Sequence, residues 1–135
     1  MLAYFMGPVQ DQRDECRLDP SRNATPEDLN KIGVKLCTFQ ESSLNQLFGC
    51  FVCHCTHGEV QIFLQDEWIR IPVKRGDFVF LPAGIYHRFT TDKKEDLIAI
   101  RLFKTVPQWE AFNRCADGDL LEERKDYLKS LLKSS

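Results

Sequence analysis

The chain has 135 residues, a hydrophobic fraction of 43% and a formal net charge of −2. This length suits a single domain over residues 1–135, and the apolar content is sufficient for a packed core. The small charge, with both signs interspersed, gives no electrostatic basis for binding nucleic acid or an anionic membrane, and no apolar run is long enough to span a bilayer.

The N-terminal start MLAYFMGPVQ lacks the basic and long apolar regions of a secretory signal, so we expect a cytoplasmic protein. In that compartment cysteines are expected to remain free thiols rather than to form disulfides. The six cysteines are Cys16, Cys37, Cys50, Cys53, Cys55 and Cys115.

The N-terminal part predicts two strands separated by a loop and a helix. Residues 2–6 predict a short edge strand, and the polar residues 7–24 predict a loop. Residues 34–39 alternate weakly between apolar and polar and predict a second strand. Residues 40–50 show no clear period.

The short helix between these strands carries clear end signals. Thr25 is placed to be the N-cap, Pro26 fits the first helical position, and Asp28 completes a capping box. Gly33 can end the helix in a left-handed conformation.

From residue 59 onward, strand-like segments recur at close spacing between turn residues. The segments are 59–64, 68–73, 78–81, 87–91 and 97–103. Short strands at this spacing predict an antiparallel sandwich or barrel.

The C-terminal segment from about Leu120 to Leu132 predicts an amphipathic helix. Charged residues occupy one face of this helix. The opposite, apolar stripe comprises Leu120, Leu121, Tyr127, Leu128, Leu131 and Leu132.

One histidine follows a defined pattern of turn residues, G-x5-P-x-G-x2-H, which runs from Gly76 to His87. Gly76 permits a turn between strands, and Pro82 and Gly84 set a sharp reversal. We therefore predict that His87 faces the interior of the barrel, where an imidazole can bind a metal.

This pattern is similar to the second motif of the cupin barrel, although Thr91 stands where that motif usually has asparagine. The flanking stretches WIRIPVKRGDFVFLPAGIYHRFT, IRLF and PQWEAFNR resemble acireductone dioxygenase, and AYFM, RLDPSR and EDLNKIGV resemble it more loosely. By our alignment the resemblance covers roughly two-thirds of the chain. It implies a mainly β fold, a cupin-type antiparallel β-barrel with a short N-terminal helix and a C-terminal amphipathic helix.

The resemblance implies a dioxygenase of the methionine salvage pathway, located in the cytoplasm and also in the nucleus. With iron, the family converts 1,2-dihydroxy-3-keto-5-methylthiopentene, an acireductone, and dioxygen to formate and 2-keto-4-methylthiobutyrate. With nickel, the same substrate gives carbon monoxide and a shorter carboxylic acid.

The resemblance also implies roles for individual residues. In the family, three histidines and one glutamate hold Fe(II) or Ni(II), and the third histidine matches His87. Phe89 and Trp109 match aromatic residues that line the substrate pocket. Arg101 matches an arginine that pairs with the substrate oxygens or a nearby carboxylate, and a guanidinium fork suits a dianionic enediolate. The alternative is that Phe89 and Trp109 are core aromatics and that Arg101 pairs with a neighbouring carboxylate such as Asp77.

The other two histidines and the glutamate belong to a first motif, H-x-H-x-x-x-E, which this chain lacks. By counting back from His87, the expected positions fall on Ser42, Leu44 and Phe48, and none of these side chains is a plausible replacement. Residues 40–58 do not resemble the family and separate two parts that do. A splice variant, a lineage-specific loss or a coding-sequence error would each produce such a segment. We therefore expect impaired catalysis, and we expect exposed strand edges to favour low stability or self-association.

Two replacements for the lost ligands are open. In the first, His54, His57 and Glu59 join His87 around iron or nickel. Strand alternation opposes this, because His57 and Glu59 share one face while His54 points to the other.

In the second replacement, Cys50, Cys53 and Cys55 form a zinc site with one of the two neighbouring histidines, because thiolates favour zinc. No second ligand pair at matching spacing supports it. We favour a third interpretation, a variable loop or strand with buried thiols and solvated histidines.

Three functions therefore remain open from the sequence. The chain is an acireductone-consuming dioxygenase, a non-catalytic cupin that serves as a binding or regulatory module, or a zinc-stabilised cupin. The metal content of the purified protein would distinguish them. Bound iron or nickel indicates the dioxygenase, no metal indicates the non-catalytic cupin, and zinc indicates the zinc-stabilised cupin.

Overall fold

Most of the chain is described by a computed structural model. The described residues are 2–38, 50–53, 58–64, 67–94, 99–103, 106 and 114–134. They form the strands β1 (Tyr4–Phe5), β2 (Lys35–Thr38), β3 (Cys50–Cys53), β4 (Gly58–Leu64), β5 (Glu67–Val73), β6 (Asp77–Phe80), β7 (His87–Thr91) and β8 (Ala99–Arg101). They also form the helices α1 (Pro26–Lys31), α2 (Ala116–Asp119) and α3 (Glu122–Ser134).

The strands lie in two four-stranded sheets, in the orders β1-β5-β4-β7 and β2-β6-β3-β8. Every described strand pair is antiparallel. The chain changes sheet repeatedly, since among consecutive strands only β2 and β3, and β4 and β5, belong to the same sheet. The mainly β, cupin-like fold is therefore confirmed, but within the described residues strand pairing does not close the two sheets into a barrel.

Strict alternation along β4 and β5 gives the first sheet two different faces. Val60 lies opposite Ile71, and Ile62 lies opposite Ile69, and all four side chains are buried on the inner face. Gln61 lies between them in sequence and points to the outer face, because successive side chains of a strand alternate.

The hydrophobic core lies against the inner face of the first sheet. It combines residues from both sheets with residues from α1 and α3. Its members include Ala3, Phe5, Leu29, Ile32, Val34, Val60, Ile62, Ile69, Ile71, Val73, Val79, Ile85 and Tyr127. Residues from both sheets and from two helices thus cover the apolar inner face of the first sheet.

The capping signals predicted for α1 are confirmed. The Thr25 hydroxyl accepts from the Asp28 backbone N–H at 3.1 Å, and the Thr25 backbone N–H donates to the Asp28 carboxylate at 2.9 Å. These hydrogen bonds hold the pKa of Asp28 below its usual value. Gly33 follows the helix with φ of 75°, as predicted for a left-handed helix end.

The predicted C-terminal helix is confirmed as α3, although only part of its apolar stripe is buried. Helix α3 begins at Glu122, and Leu120 lies between α2 and α3. Tyr127 is buried, but Leu120, Leu128 and Leu132 are 64%, 41% and 80% exposed. Only the side of α3 that carries Tyr127 and Leu131 packs against the core, so the rest of the predicted apolar stripe remains exposed.

Strand β3 was not predicted, because residues 40–50 show no clear period and the residues after them read as a loop or strand. Strand β8 covers Ala99–Arg101, a shorter span than the predicted 97–103. Strand β1 lies at the edge of its sheet, as predicted. Among the described helices, none is long and apolar enough to cross a membrane.

We predict that Ile71→Ala lowers the free energy of unfolding by about 2–5 kcal/mol, because Ile71 is fully buried and its truncation leaves a cavity. Ile100→Ala is the matched control, since Ile100 is 47% exposed on β8, and its loss should stay below about 1 kcal/mol. Urea denaturation measures both. Similar losses for the two variants would contradict this placement of the core.

Candidate functional site

His87 begins β7 on the core-facing side of the first sheet. It lies opposite Ile62, and Phe89 lies opposite Val60 two residues further along the same face. Phe89 packs against the core, whereas His87 is exposed. The difference arises because His87 stands at the first position of a strand at the edge of its sheet, where the core does not cover it.

The imidazole of His87 is oriented by a contact with its own turn. Its Nδ1 lies 3.1 Å from the backbone oxygen of Ile85. A carbonyl oxygen only accepts hydrogen bonds, so we assign the hydrogen to Nδ1, and in the neutral ring Nε2 then carries the lone pair. This is the tautomer in which a histidine offers Nε2 to a metal or to a proton donor.

The two turns that flank β6, before His87, depend on glycines in the left-handed region. Gly76 and Gly84 have φ of 84° and 82°. A Cβ at Gly84 would lie 2.2 Å from the backbone oxygen of Glu123, so α3 packs directly against this turn. A Cβ at Gly76 would meet nothing within 4 Å. The two motif glycines therefore have different roles. Gly84 allows the α3 backbone to pack closely against its turn, whereas Gly76 only allows its turn to adopt a positive φ.

Arg124 of α3 fastens the helix to the same turn. Its Nη1 donates to the backbone oxygen of Gly84 at 3.1 Å, and its Nε lies 3.7 Å from the carboxylate of Asp119. The guanidinium also lies 4.4 Å from the ring centroid of Tyr86 and 5.5 Å from that of Tyr127. Cation–π contacts of this kind add to the hydrogen bond.

Two tyrosine hydroxyls complete this contact. Tyr86 donates to the Asp119 carboxylate at 2.8 Å, and Tyr127 donates to the backbone oxygen of Ile32 at 3.0 Å. Burial, and then the bond to Asp119, raise the pKa of Tyr86, and burial raises the pKa of Tyr127. Both hydroxyls therefore stay protonated donors. The Tyr86 bond joins the turn to the end of α2, and the Tyr127 bond joins α3 to the end of α1.

The sequence did not single out these anchoring residues. Arg124 reads as part of the charged face of the C-terminal helix, Asp119 carries no prediction, and Tyr127 reads only as part of an apolar stripe. The only available signal was the motif glycine at Gly84, which permits a close approach without naming the partner.

The remaining predicted site residues are only partly described. Arg101 is exposed on β8, in the other sheet from His87 and Phe89. Asp77, considered above as a partner for Arg101, accepts hydrogen bonds from the Thr38 hydroxyl at 3.3 Å and the Lys74 backbone at 3.0 Å. Trp109 lies outside the described residues.

The proposed replacement ligands also lie largely outside the described residues. This is so for His54 and His57, and for Glu59 only the backbone position in β4 is described. Among the residues that the structure describes, no group of three His, Cys, Asp or Glu side chains is placed to hold a metal ion. The described residues therefore do not fit the four-ligand iron or nickel site that the resemblance implies.

The two sheets and the anchored histidine turn define a cupin-like β protein. A family model described as the ARD/ARD' family matches residues 52–111. The chain is 41% identical over 110 residues to an acireductone dioxygenase of Branchiostoma floridae, over 79% of this chain and 60% of that protein. It is 40% identical over 111 residues to acireductone dioxygenase 1 of Sorghum bicolor, over 80% of this chain and 59% of that protein. The chain belongs to the acireductone dioxygenase family.

The chain covers only part of these relatives, 60% of the length of the B. floridae protein and 59% of that of the S. bicolor protein. An acireductone dioxygenase of Leishmania major is 46% identical over 176 aligned positions, which cover 95% of this chain and 51% of that protein. That alignment is longer than the 135 residues of the chain, so it includes positions that this chain lacks.

We predict that Gly84→Ala is more destabilising than Gly76→Ala. Both substitutions place alanine at positive φ, which costs about 1–2 kcal/mol. Only the alanine at position 84 would also collide with the α3 backbone, for a further loss of about 1–3 kcal/mol in the free energy of unfolding. Urea denaturation of the two variants measures the difference, and equal losses would contradict the packing of α3 on this turn.

Proposed function

We propose that this chain is an acireductone dioxygenase relative of the methionine salvage pathway whose dioxygenase activity is impaired. The observation that carries this proposal is the missing H-x-H-x-x-x-E motif in a chain that retains the second cupin motif and its anchored turn. The chain has three histidines in all, and only His87 stands at a position that matches a family ligand.

Ligand count supports the impairment. One neutral imidazole does not hold a divalent first-row metal against water and cellular competitors, because affinity depends on the number and geometry of the ligands. The positions matched to the lost ligands, Ser42, Leu44 and Phe48, offer at most one weak hydroxyl ligand. Among the described residues no other carboxylate or thiol group gathers near His87 to replace them.

The retained residues support a substrate of the family's chemical class. In this proposal Phe89 contributes an apolar wall beside His87, and Arg101 offers a guanidinium to the enediolate oxygens of an acireductone. Trp109 excludes water from the substrate tail. Such contacts bind and orient a substrate, but they do not activate dioxygen, for which the family uses Fe(II) or Ni(II).

We predict that the purified chain, after anaerobic incubation with ferrous iron or nickel and desalting, retains far less than one equivalent of either metal. Dioxygen uptake with acireductone should then match the rate without protein. Elemental analysis and an oxygen electrode measure the two quantities. One equivalent of tightly held iron, with uptake that chelation abolishes, would overturn the proposal.

Variants separate the remaining outcomes of this experiment. If no metal site exists, His87→Gln should leave the metal content unchanged. Loss of iron or nickel in His87→Gln, and also in His54→Gln and His57→Gln, would instead indicate the replacement site at residues 54–59. One equivalent of zinc would favour a zinc-stabilised cupin. Arg75→Gln, at an exposed turn position, is the control.

We further propose that the chain self-associates through a sheet edge. Among the described strands, β2 pairs only with β6, and β8 pairs only with β3, so each presents an open edge. Such edges template pairing with a second chain. We predict a concentration-dependent dimer in sedimentation velocity that Ile100→Lys on β8 shifts toward monomer.

The matched control for this prediction is Leu132→Lys. Leu132 is 80% exposed on α3, away from either sheet edge. This variant should associate like the wild-type chain. A monomer at all concentrations, or equal association of the two lysine variants, would contradict the role of the β8 edge.

A further inference from the structure

The outer face of the first sheet carries a row of polar side chains across four neighbouring strands. The strand register places Tyr4 opposite Arg70, Arg70 opposite Gln61, and Gln61 opposite Arg88. Cross-strand partners share one face of a sheet, so these side chains form a continuous row. The row lies on the face opposite to the hydrophobic core.

The loop between β1 and α1 covers this row. Arg70 donates from Nη2 to the backbone oxygen of Gln12 at 2.9 Å and from Nη1 to that of Asp14. The Tyr4 hydroxyl donates to the backbone oxygen of Glu15 at 2.9 Å. Arg70 and Gln61 are both 0% exposed as a result.

The side-chain amide of Gln61 has an unsatisfied hydrogen-bond donor. Its Oε1 accepts from Nε of Arg88 at 2.5 Å, which fixes the orientation of the amide. Its Nε2 is buried and has no hydrogen-bond acceptor in the part of the chain that the structure describes. A buried donor without an acceptor costs about 1–3 kcal/mol, so such groups usually have a bound partner.

Arg88 lies at the end of this row with no carboxylate against it among the described residues. Its guanidinium lies 4.0 Å from the ring centroid of Trp68. Burial, and then the positive charge of Arg70, lower the pKa of Arg88. The positive charge of Arg88 and the unsatisfied amide donor of Gln61 therefore lie next to each other.

The nearby loop carboxylates are held by other cations. The Asp11 carboxylate pairs with Arg13 at 3.0 Å, and that of Glu15 pairs with Arg17 at 2.7 Å. The Asp14 carboxylate pairs with Lys93. None of these three pairs directs its carboxylate to Arg88, so the side chains that the structure describes do not neutralise this end of the row.

We propose that a small inorganic anion of the halide class binds beneath the loop, where it accepts from Nε2 of Gln61 and faces the guanidinium of Arg88. A single-atom anion is the smallest acceptor with a full negative charge and so needs the least space beneath the loop, and N–H groups that converge on one point form anion sites. The anion would link the sheet to the covering loop, so its binding would stabilise the folded chain.

Thermal unfolding at constant ionic strength tests the proposal, with sodium gluconate replaced stepwise by sodium chloride. We expect a saturable rise in the unfolding midpoint of the wild-type chain. Arg88→Gln should lose this response. Gln61→Glu should also lose it, because the new carboxylate supplies the negative charge from within. Arg75→Gln, an exposed position in the turn before β6, should respond like the wild-type chain.

Chloride-35 line broadening on the wild-type chain measures binding directly and does not depend on whether the variants fold. Broadening that bromide competes away supports the site. An unchanged midpoint without broadening would show that no halide binds at Gln61, and this overturns the proposal. Equal responses in the wild type, Arg88→Gln and Gln61→Glu would show a general surface effect of chloride, with the same consequence.

Discussion

The alternation of β4 is the constraint on which both faces of the first sheet depend. Val60 and Ile62 point to the core, and they bring Phe89 and His87 of the neighbouring strand to the same side. Gln61, between them, points outward into the row of buried polar side chains. A shift of β4 by one residue would exchange its two faces, placing the Gln61 amide in the core and Val60 and Ile62 beneath the N-terminal loop.

The histidine turn is held from outside the sheet. Pairing with β4 fixes β7 from His87 onward, but the turn before it is held by α3, through the Gly84 contact and the bonds of Arg124. The imidazole is therefore preorganised by a helix that contributes no ligand. The residues that hold this turn therefore lie far in sequence from positions 42, 44 and 48, to which the resemblance assigns the missing ligands.

Local chemistry made part of this structure predictable. The capping box at Thr25, the glycine end at Gly33 and the alternating strands on either side of residues 65 and 66 are set by contacts within a few residues, and all are confirmed. Strand β3 and the start of α3 were not predictable, because tertiary packing decides them. For the site, the motif located His87, but nothing local indicated Arg124 as its support or the burial of Gln61 beneath the loop.

Family membership and activity depend on different residues of this chain. Membership follows from the second-motif region, where turn glycines, strand alternation and the match over residues 52–111 coincide. The proposed dioxygenase activity would require several ligands around one metal, and a site of this kind loses affinity steeply as ligands are removed, because each remaining ligand must compete alone with water. Selection on folding alone would preserve the glycines and the anchors of α3, since these stabilise the chain whether or not a metal binds. The persistence of the turn is therefore evidence of a stable fold and of ancestry, and the rate of dioxygen consumption must be judged from the ligand set.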